Sequence, residues 1–427
     1  MHHRTTSVRA CLAFLAAAAA SGWVQAGPIT PPAGPVSSTY KTLNEVQPRT
    51  AIGAATTPGD ADSVCKITQP GSYYLTGNLQ GVAGKHGIEI TCSAVTIDLS
   101  GFTVAGVASS LDGISVTQAG QRGIAVRNGN ITGFGGDGVD TRANSASDCR
   151  FENLTAADNG GAGISVKDGS VVSGCIATGN AGRGMYAGAR SVVSGCQANA
   201  NSSVGIQVDL GCTLTGCVAS NNATGGIVTF SGCTLTDCVA STNTLKGIST
   251  QAMCTLRGCV ATANDTGVLG VGIDVGDYGT ATGCTASAGS GRGIGASTGA
   301  SILSCVTQGN AREGIYVVDS CLVRGNTCTN NGTDPNIGAN IYAHAGHNRI
   351  EENNCTGAHR GIEVHGAGNF IIRNTVVSAG QTVAYDIAAG NVHGNIMDRT
   401  NNGAPAVIGT TGAGTLGTTD FNANFSY

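Results

Sequence analysis

The sequence predicts an all-β protein built as a parallel β-helix, a solenoid in which each coil of about 21 residues stacks on the one before it. Three observations support this fold: a repeat of 21 residues, apolar–polar alternation in short runs, and an excess of glycine. Glycine accounts for 67 of 427 residues, whereas charged residues make up only 11%. Long helices and coiled coils need the opposite composition, so the sequence excludes them.

The repeat is most visible as a Gly-Ile dipeptide, or a close variant, that opens each unit. The glycines of this dipeptide are Gly163, Gly184, Gly205, Gly226 and Gly247, followed after an insertion by Gly272, Gly293 and Gly314. Within a unit such as residues 205–224, apolar and polar side chains alternate in short runs that Gly, Ser and Asn interrupt. This pattern is typical of short strands joined by tight turns. A unit this short cannot bury its own apolar side, so it must stack on its neighbours.

Two further residue types recur with the same spacing. Cysteine recurs at Cys175, Cys196, Cys217, Cys238, Cys259, Cys284 and Cys305, and asparagine at Asn159, Asn180, Asn201, Asn222, Asn243, Asn264, Asn310 and Asn331. Stacked asparagine amides can hydrogen-bond from one coil to the next. The cysteine register is continued by Asn326, Asn353, Asn374 and Asn395. We therefore expect cysteine and asparagine to occupy the same inward position on different coils.

The start of the chain is typical of a secretory signal peptide over residues 1–26. Arg4 and Arg9 precede a short apolar run, and Val24-Gln25-Ala26 fits a cleavage site. The apolar run is too short to cross a bilayer. No later apolar stretch approaches the length of about 18 residues that a membrane-spanning helix needs. We expect a secreted, periplasmic or cell-surface protein with no membrane span.

The rest of the chain divides into three predicted parts. Residues 27–59 form a leader rich in Pro and Thr, residues 60–400 form the β-helix, and residues 401–427 form a loosely packed cap. The β-helix is expected to have about 14 coils and a length of about 65 Å. The cap contains Phe421, Phe425 and Tyr427, which are expected to cover the last coil.

Charge excludes two kinds of partner. Lys and Arg number 22 and Asp and Glu 26, and loss of the signal peptide removes two arginines, so the net charge becomes 20 − 26 = −6. An acidic chain with few basic residues carries no footprint for nucleic acid or for an anionic membrane. The sequence does not indicate an oligomeric state.

Sixteen cysteines remain after cleavage, which in an exported protein suggests disulfides. Stacking on neighbouring coils, however, holds their Cβ atoms about one strand spacing apart, farther than a disulfide prefers. We expect most of them, including the shorter column Cys212, Cys233 and Cys254, to be buried free thiols, with disulfides as the alternative. A column spreads ligands along an axis, so a zinc site is disfavoured.

Several segments resemble bacterial secreted right-handed parallel β-helix repeat proteins, which share the pectin-lyase-like fold. These segments are the stretch 347–353, Gly361-Ile362-Glu363-Val364 and the stretch 370–375, while residues 66–76 resemble the strand that caps the amino-terminal end in such proteins. The resemblance covers roughly residues 60–400 and implies a single-stranded, right-handed β-helix. The fold hosts polysaccharide lyases, hydrolases, epimerases, phage tailspikes, adhesins and a maturation factor, so it does not assign a function.

A first candidate site lies near the carboxyl-terminal end, where four histidines fall within 22 residues. Aligning Ile341 with Ile362 places His344 beneath His365, both pointing outward from the same sheet. We predict catalytic residues His344, His365, Glu363 and Tyr342, with Tyr316 and Arg360 binding substrate. Such a group can transfer protons or bind a metal ion. The alternative is a solvated polar face.

A second candidate site follows the same alternation in earlier coils. Its predicted substrate-binding residues are Asp140, Arg142, Lys167, Tyr186 and Asp209. In β-helix lyases, acidic residues bind calcium beside a uronate and an Arg or Lys abstracts the neighbouring proton. No cluster of three or four aspartates occupies matching positions here. Calcium is the one cofactor that the resemblance suggests. Because the sequence has no such cluster, no metal ligand is assigned.

Together these features predict an exported β-helix that binds or processes a polysaccharide or cell-surface glycan through the outward face of one sheet. The chemistry would be lyase-like or hydrolase-like. The alternative is a non-catalytic surface, adhesive or structural module. A concave, tyrosine-lined groove with converging His, Glu and Arg side chains would favour the first, and a flat face the second.

Overall fold

The computed structural model describes residues 49–264, 270–332, 338–377, 383–398, 407–409 and 420–426. The predicted signal peptide, residues 27–48 of the leader and Tyr427 lie outside these ranges. Within them all regular structure is β, which agrees with the predicted class. No helix in the described ranges is long and apolar enough to cross a membrane.

One sheet contains 16 strands, so the β-helix has about sixteen coils rather than the fourteen predicted. Its strands pair in parallel with the strands of the neighbouring coils, and the difference arises partly because the last strand lies beyond residue 400. The strands of this 16-stranded sheet are Ser63–Ile67, His86–Ile90, Ile114–Val116, Val139–Asp140, Ile164–Val166, Met185–Ala187, Ile206–Val208, Ile227–Thr229, Ile248–Thr250, Val271–Val275, Arg292–Ala296, Ile315–Val317, Ala339–Ala343, Arg360–Val364, Val383–Ile387 and Val407–Gly409.

The other sheet contains 30 strands and contributes two strands to most coils. Its strands are Thr50–Ala51, Gly71–Tyr74, Leu79–Gln80, Val95–Asp98, Thr103–Ala105, Ala125–Thr132, Arg150–Ala157, Val171–Ser173, Ile176–Thr178, Val192–Ser194, Gln197–Asn199, Thr213–Thr215, Val218–Ser220, Thr234–Thr236, Val239–Ser241, Thr255–Arg257, Val260–Thr262, Thr280–Thr282, Thr285–Ser287, Ser301–Leu303, Val306–Gln308, Leu322–Arg324, Thr327–Thr329, Arg349–Glu351, Asn354–Thr356, Phe370–Ile372, Thr375–Val377, Val392–His393, Ile396–Asp398 and Asn424–Ser426. The first of these strands precedes residue 60.

The asparagine register forms a hydrogen-bonded ladder inside the coils. The Nδ2 group of Asn201 donates to Oδ1 of Asn222 at 3.0 Å, and Nδ2 of Asn222 donates to Oδ1 of Asn243 at 2.9 Å. The backbone N–H of Asn201 also donates to Asn222 Oδ1, at 3.1 Å. These amides are buried, so the ladder satisfies polar groups that water cannot reach. The predicted stacking of asparagines is confirmed.

The ladder explains the glycine that opens each coil. A Cβ atom at Gly205 would lie 2.5 Å from Nδ2 of Asn222 and 2.8 Å from the carbonyl oxygen of Gly226 on the next coil. No side chain fits in that space. The glycine of the Gly-Ile dipeptide and the repeated asparagine are therefore the two partners of one packing contact.

Cysteine and asparagine share a second column, as predicted, with one correction. The N–H of Cys305 donates to Oδ1 of Asn326 at 2.8 Å, so asparagine takes over from cysteine on the next coil. Asn395 does not continue this column. The backbone N–H of Asn374 donates instead to Oδ1 of Asn424 at 3.0 Å, while Asn395 is exposed. Asn424 takes this place because the strand Asn424–Ser426 pairs with Thr375–Val377.

The predicted cover of the last coil by aromatic residues is wrong for Phe421. This side chain is 80% exposed and contacts the guanidinium of Arg373, whose Cζ lies 5.4 Å from the ring centroid. The chain after residue 420 instead adds a strand to the 30-stranded sheet.

All sixteen cysteines in the described ranges are free thiols, and fifteen of them are buried. Their sulfurs contact backbone carbonyls; Cys196 Sγ, for example, lies 3.5 Å from the oxygen of Val172. Burial raises the pKa of the Cys149 thiol to about 11. The predicted role of these residues as small buried fillers is confirmed.

We expect Asn222→Ala to destabilise the fold by about 3 kcal/mol, because it leaves several buried polar groups unpaired. Chemical denaturation followed by circular dichroism measures the shift of the unfolding midpoint. Asn199→Ala is the matched control, since Asn199 is exposed and bonds only at the surface. Equal shifts for the two variants would show that a buried amide of the ladder stabilises the fold no more than an exposed surface amide does.

We expect the folded protein to react slowly with a thiol reagent, with Cys92 reacting first because it is the one partly exposed cysteine of the sixteen. In denaturant, without a reductant, all sixteen should react. A count in denaturant far below sixteen would reveal disulfides and contradict the free-thiol assignment.

Candidate functional site

On the outward face of the 16-stranded sheet, near its carboxyl-terminal end, side chains of successive coils lie next to one another in columns. Register pairs Tyr316 with Tyr342 and Tyr342 with Glu363, which places these side chains on successive coils. His344 and His365 follow two positions later in the chain, directly after the strands Ala339–Ala343 and Arg360–Val364. Parallel, in-register pairing therefore assembles a site from residues far apart in the chain.

These columns border a cavity of about 280 Å³. Its lining combines aromatic and charged side chains. The lining residues are Arg292, Arg312, Glu313, Tyr316, Tyr342, His344, Glu363 and His365. The cavity therefore brings His, Glu and Arg side chains beside the two tyrosines.

Three residues form a hydrogen-bonded series at this cavity. The hydroxyl of Tyr342 lies 3.0 Å from Nδ1 of His365, and Nε2 of His365 lies 2.7 Å from Oε1 of Glu363. A carboxylate that contacts a ring nitrogen at this distance is its hydrogen-bond partner. Buried Glu363 therefore fixes the orientation of the His365 ring.

The tyrosines form a rigid aromatic platform. The rings of Tyr316 and Tyr342 stack with centroids 5.4 Å apart and planes inclined by 7°. His344 lies against both rings, 5.9 Å from Tyr316 and 6.2 Å from Tyr342. The guanidinium carbon of Arg292 lies 3.5 Å from the centroid of the Tyr316 ring. The platform therefore presents a cation and an imidazole at the same opening.

Burial raises the pKa of the Tyr342 phenol above its usual value, and the negative charge of Glu363 adds to the effect. Tyr316 and Glu313 contribute in the same direction, while Arg292 opposes it. The phenol is accordingly neutral at physiological pH and available as a proton donor.

Three lining residues were not found from the sequence: Arg292, Arg312 and Glu313. Glu313 is 5% exposed and joins the two arginines, with Arg292 Nε at 3.0 Å and an Arg312 terminal nitrogen at 3.5 Å. Arg292 and Glu313 lie two positions before the inward isoleucine of their coils. The same 21-residue step that located the histidines would have revealed this column.

Arg360, predicted to bind substrate, lies in the same column but points to other partners. One terminal nitrogen lies 3.6 Å from Glu363 and its Nε lies 3.3 Å from Asp386. It does not line the cavity. Arg360 therefore forms an ion pair with Glu363 instead of facing the cavity.

The second predicted group separates into parts. Arg142, Tyr186 and Asp209 come together: Arg142 Cζ lies 4.8 Å from the Tyr186 ring centroid, and the Tyr186 hydroxyl donates to Asp209 Oδ2 at 3.2 Å. Lys167 instead lies 3.8 Å from Asp168. Asp140 accepts hydrogen bonds from the backbone of its own turn, including Arg142 N–H at 2.7 Å.

A neighbouring carboxyl that the sequence reasoning missed has an unusual pKa. Burial raises the pKa of Asp137 to about 6, with smaller contributions from the charges of Asp140 and Asp112. Burial likewise raises the pKa of Asp140. Asp137 occurs beside the strand Val139–Asp140, at the edge of the second predicted group.

In the described ranges, one group of acidic side chains comes close enough to hold a cation: Asp60, Asp62 and Glu89. The ammonium of Lys66 lies 2.6 Å from Asp60 and 3.0 Å from Glu89, so a lysine already supplies the positive charge there. At the cavity, Glu313 and Glu363 are both paired with arginines. The carboxylates of the cavity therefore do not fit a calcium site.

Comparison with solved structures finds similar proteins. A mutant tailspike protein of E. coli bacteriophage HK620, in complex with a hexasaccharide, has 12% identity and a TM-score of 0.52 and covers 76% of this chain and 71% of its own. The mannuronan C-5 epimerase AlgE4 A-module of Azotobacter vinelandii has 14% identity and a TM-score of 0.42, covering 81% and 91%. A search of curated proteins finds no match.

The sequence also matches a family model, described as right handed beta helix region. The matches cover residues 71–217, 112–261 and 211–336. Together they span more than half of the chain, in the same coils that carry the Gly-Ile, Cys and Asn registers. The chain therefore belongs to the right-handed β-helix family.

Proposed function

We propose that this is an exported protein whose cavity at Tyr342 binds an acidic polysaccharide and cleaves it by elimination. The observation that carries the proposal is the series Tyr342–His365–Glu363 beside the cation of Arg292. The predicted signal peptide supports export. The tailspike solved with a hexasaccharide supports a β-helix as a scaffold for glycan binding.

The arginines account for binding of an acidic sugar. A guanidinium has five N–H donors, so Arg292 can hold a carboxylate in addition to its Nε contact with Glu313. Its position over the Tyr316 ring keeps the guanidinium at the mouth of the cavity. The stacked tyrosines offer flat apolar surface to the sugar ring.

The reaction needs one proton acceptor and one donor. His344 removes the proton on the carbon next to the uronate carboxylate, and an arginine stabilises the negative charge that develops there. The carbon–oxygen bond to the leaving sugar breaks, the electron pair forms a carbon–carbon double bond, and the leaving oxygen takes the proton of Tyr342. The phenolate of Tyr342 then takes a proton from water, and the protonated His344 releases its proton to water, which restores both groups.

Hydrolysis is supported less well. A glycosidase needs one carboxylic acid that holds a proton and a second carboxylate across the scissile bond. Both candidate carboxylates, Glu313 and Glu363, are engaged by arginines, at 3.0 Å and 3.6 Å. The protonated group in the cavity is a phenol.

We expect the purified protein to release unsaturated products from an acidic polysaccharide and not from a neutral one. Ultraviolet absorbance detects the new double bond, and a reducing-end assay detects cleavage. In His344→Ala the rate should fall about 100-fold or more, the usual effect of losing a general base. His347→Ala is the matched control, since His347 is outside the cavity and pairs with Asp319.

Two results would contradict this. Reducing ends without ultraviolet absorbance would indicate hydrolysis, and binding without any product would favour a non-catalytic adhesive or structural module.

We expect activity to persist at alkaline pH, because the raised pKa of Tyr342 keeps the phenol protonated beyond its ordinary value of 10.0. Activity should be lost only as the pH rises through the raised value. Tyr342→Phe should remove the activity at every pH, by about 100-fold or more. Tyr278→Phe controls for the loss of a hydroxyl, since Tyr278 is 67% exposed elsewhere on the surface. A fall in activity well below pH 10 in still-folded protein would overturn the role of Tyr342 as the acid.

A further inference from the structure

The sheet that bears the cavity carries a second group of basic and aromatic side chains in earlier coils, here called the amino-terminal cluster: Arg142, Arg183, Tyr186 and Asp209. We propose that this cluster is a second binding site for the same acidic polysaccharide chain, so that one long chain occupies both sites. The inference rests on the proposed function and adds to it the length of ligand that the protein recognises.

The amino-terminal cluster has the organisation of the cavity's binding side. Two guanidinium carbons approach one ring, Arg142 at 4.8 Å and Arg183 at 5.8 Å from the Tyr186 centroid. At the cavity, Arg292 approaches Tyr316 in the same manner. A cation held against a ring recognises an anionic group and an apolar sugar face together.

The ring of Tyr186 is fixed in place. Its hydroxyl donates to Asp209 Oδ2 at 3.2 Å, and the side chain is half-buried. Burial and the charge of Asp209 raise the pKa of the phenol, which therefore stays neutral. A preorganised ring loses little freedom when a sugar packs on it.

The two sites lie on one straight path. Register connects Tyr186 to Tyr316 through an unbroken column of outward positions on the 16-stranded sheet: Gln207, Val228, Ser249, Asp274 and Gly295. The separation is six coils, or about 29 Å at the spacing of paired strands. A linear polymer parallel to the coil axis therefore reaches both sites.

The surface between the sites suits a sugar chain. Gln207, Val228 and Ser249 are uncharged and partly exposed, and Phe230 lies beside Val228 with the same partial exposure. The acidic Asp274 is paired with the ammonium of Lys246. Gly295 adds no side chain to obstruct the approach to Tyr316. Between the two sites the column therefore offers uncharged side chains and one carboxylate, Asp274, whose charge is offset by Lys246.

Two linked sites give a specific dependence on ligand length. A short oligosaccharide occupies one site, whereas a long chain bound at the cavity is held near the second site at high effective concentration. We therefore expect the polymer to bind at least about 100-fold more tightly than the short oligosaccharide. Loss of the amino-terminal cluster should remove most of that difference.

The test uses the full chain and two probes, polymannuronate and polygalacturonate, each as polymer and as short oligosaccharides, with affinity measured by calorimetry. Arg142→Glu is the main variant because Arg142 is exposed and its replacement is compatible with the fold. It should weaken polymer binding at least about tenfold and change oligosaccharide binding less than about twofold. Tyr186→Ala should behave alike. Arg257→Glu, exposed on the 30-stranded sheet, is the matched control.

The outcomes separate the two proposals. If Arg292→Ala abolishes oligosaccharide binding while Arg142→Glu leaves polymer affinity unchanged, the cavity function stands and the second site is refuted. Equal losses for polymer and oligosaccharide in Arg142→Glu would also refute it. If neither probe binds at either length, both proposals fail.

Discussion

The close approach of successive coils is the constraint on which the rest of the structure depends. At Gly205 the backbone comes so near the Asn222 amide and the next coil that no Cβ atom fits. That approach lets each asparagine bond both the side chain and the backbone of its neighbour. It also keeps every coil in register, because a slip of one residue would turn the inward isoleucines outward.

Register, in turn, builds the candidate site. Tyr342 lies 26 residues after Tyr316, and Glu363 lies 21 residues after Tyr342, so each of the three is on a different coil. They meet because stacked strands place equivalent residues about 4.8 Å apart. A rigid column of this kind holds Glu363, His365 and Tyr342 at hydrogen-bonding distance without any loop that must close.

Much of the fold and part of the site were predictable because both follow the 21-residue step. The step alone predicts the inward Ile, Asn and Cys columns and the alignment of His344 with His365. The step places Arg292 and Glu313 in one column, but it does not predict that Glu313 pairs with both Arg292 and Arg312, because an ion pair also depends on the direction of each side chain. The turn of Arg360 toward Asp386 was missed for the same reason. Asn424 replaced Asn395 because a strand from the far end of the chain entered the sheet, a long-range pairing that local periodicity cannot reveal.

The in-register column from Tyr186 to Tyr316 has a geometric consequence. Equivalent positions on different coils are separated by a whole number of coils. The distance between two such surface groups along the coil axis is therefore a multiple of the strand spacing. Gain or loss of one 21-residue unit between them would alter that gap by a single step and leave each group intact. The distance between two surface groups of such a solenoid is therefore set by the backbone hydrogen bonds between coils. It can change by whole coils while the residues of each group stay the same.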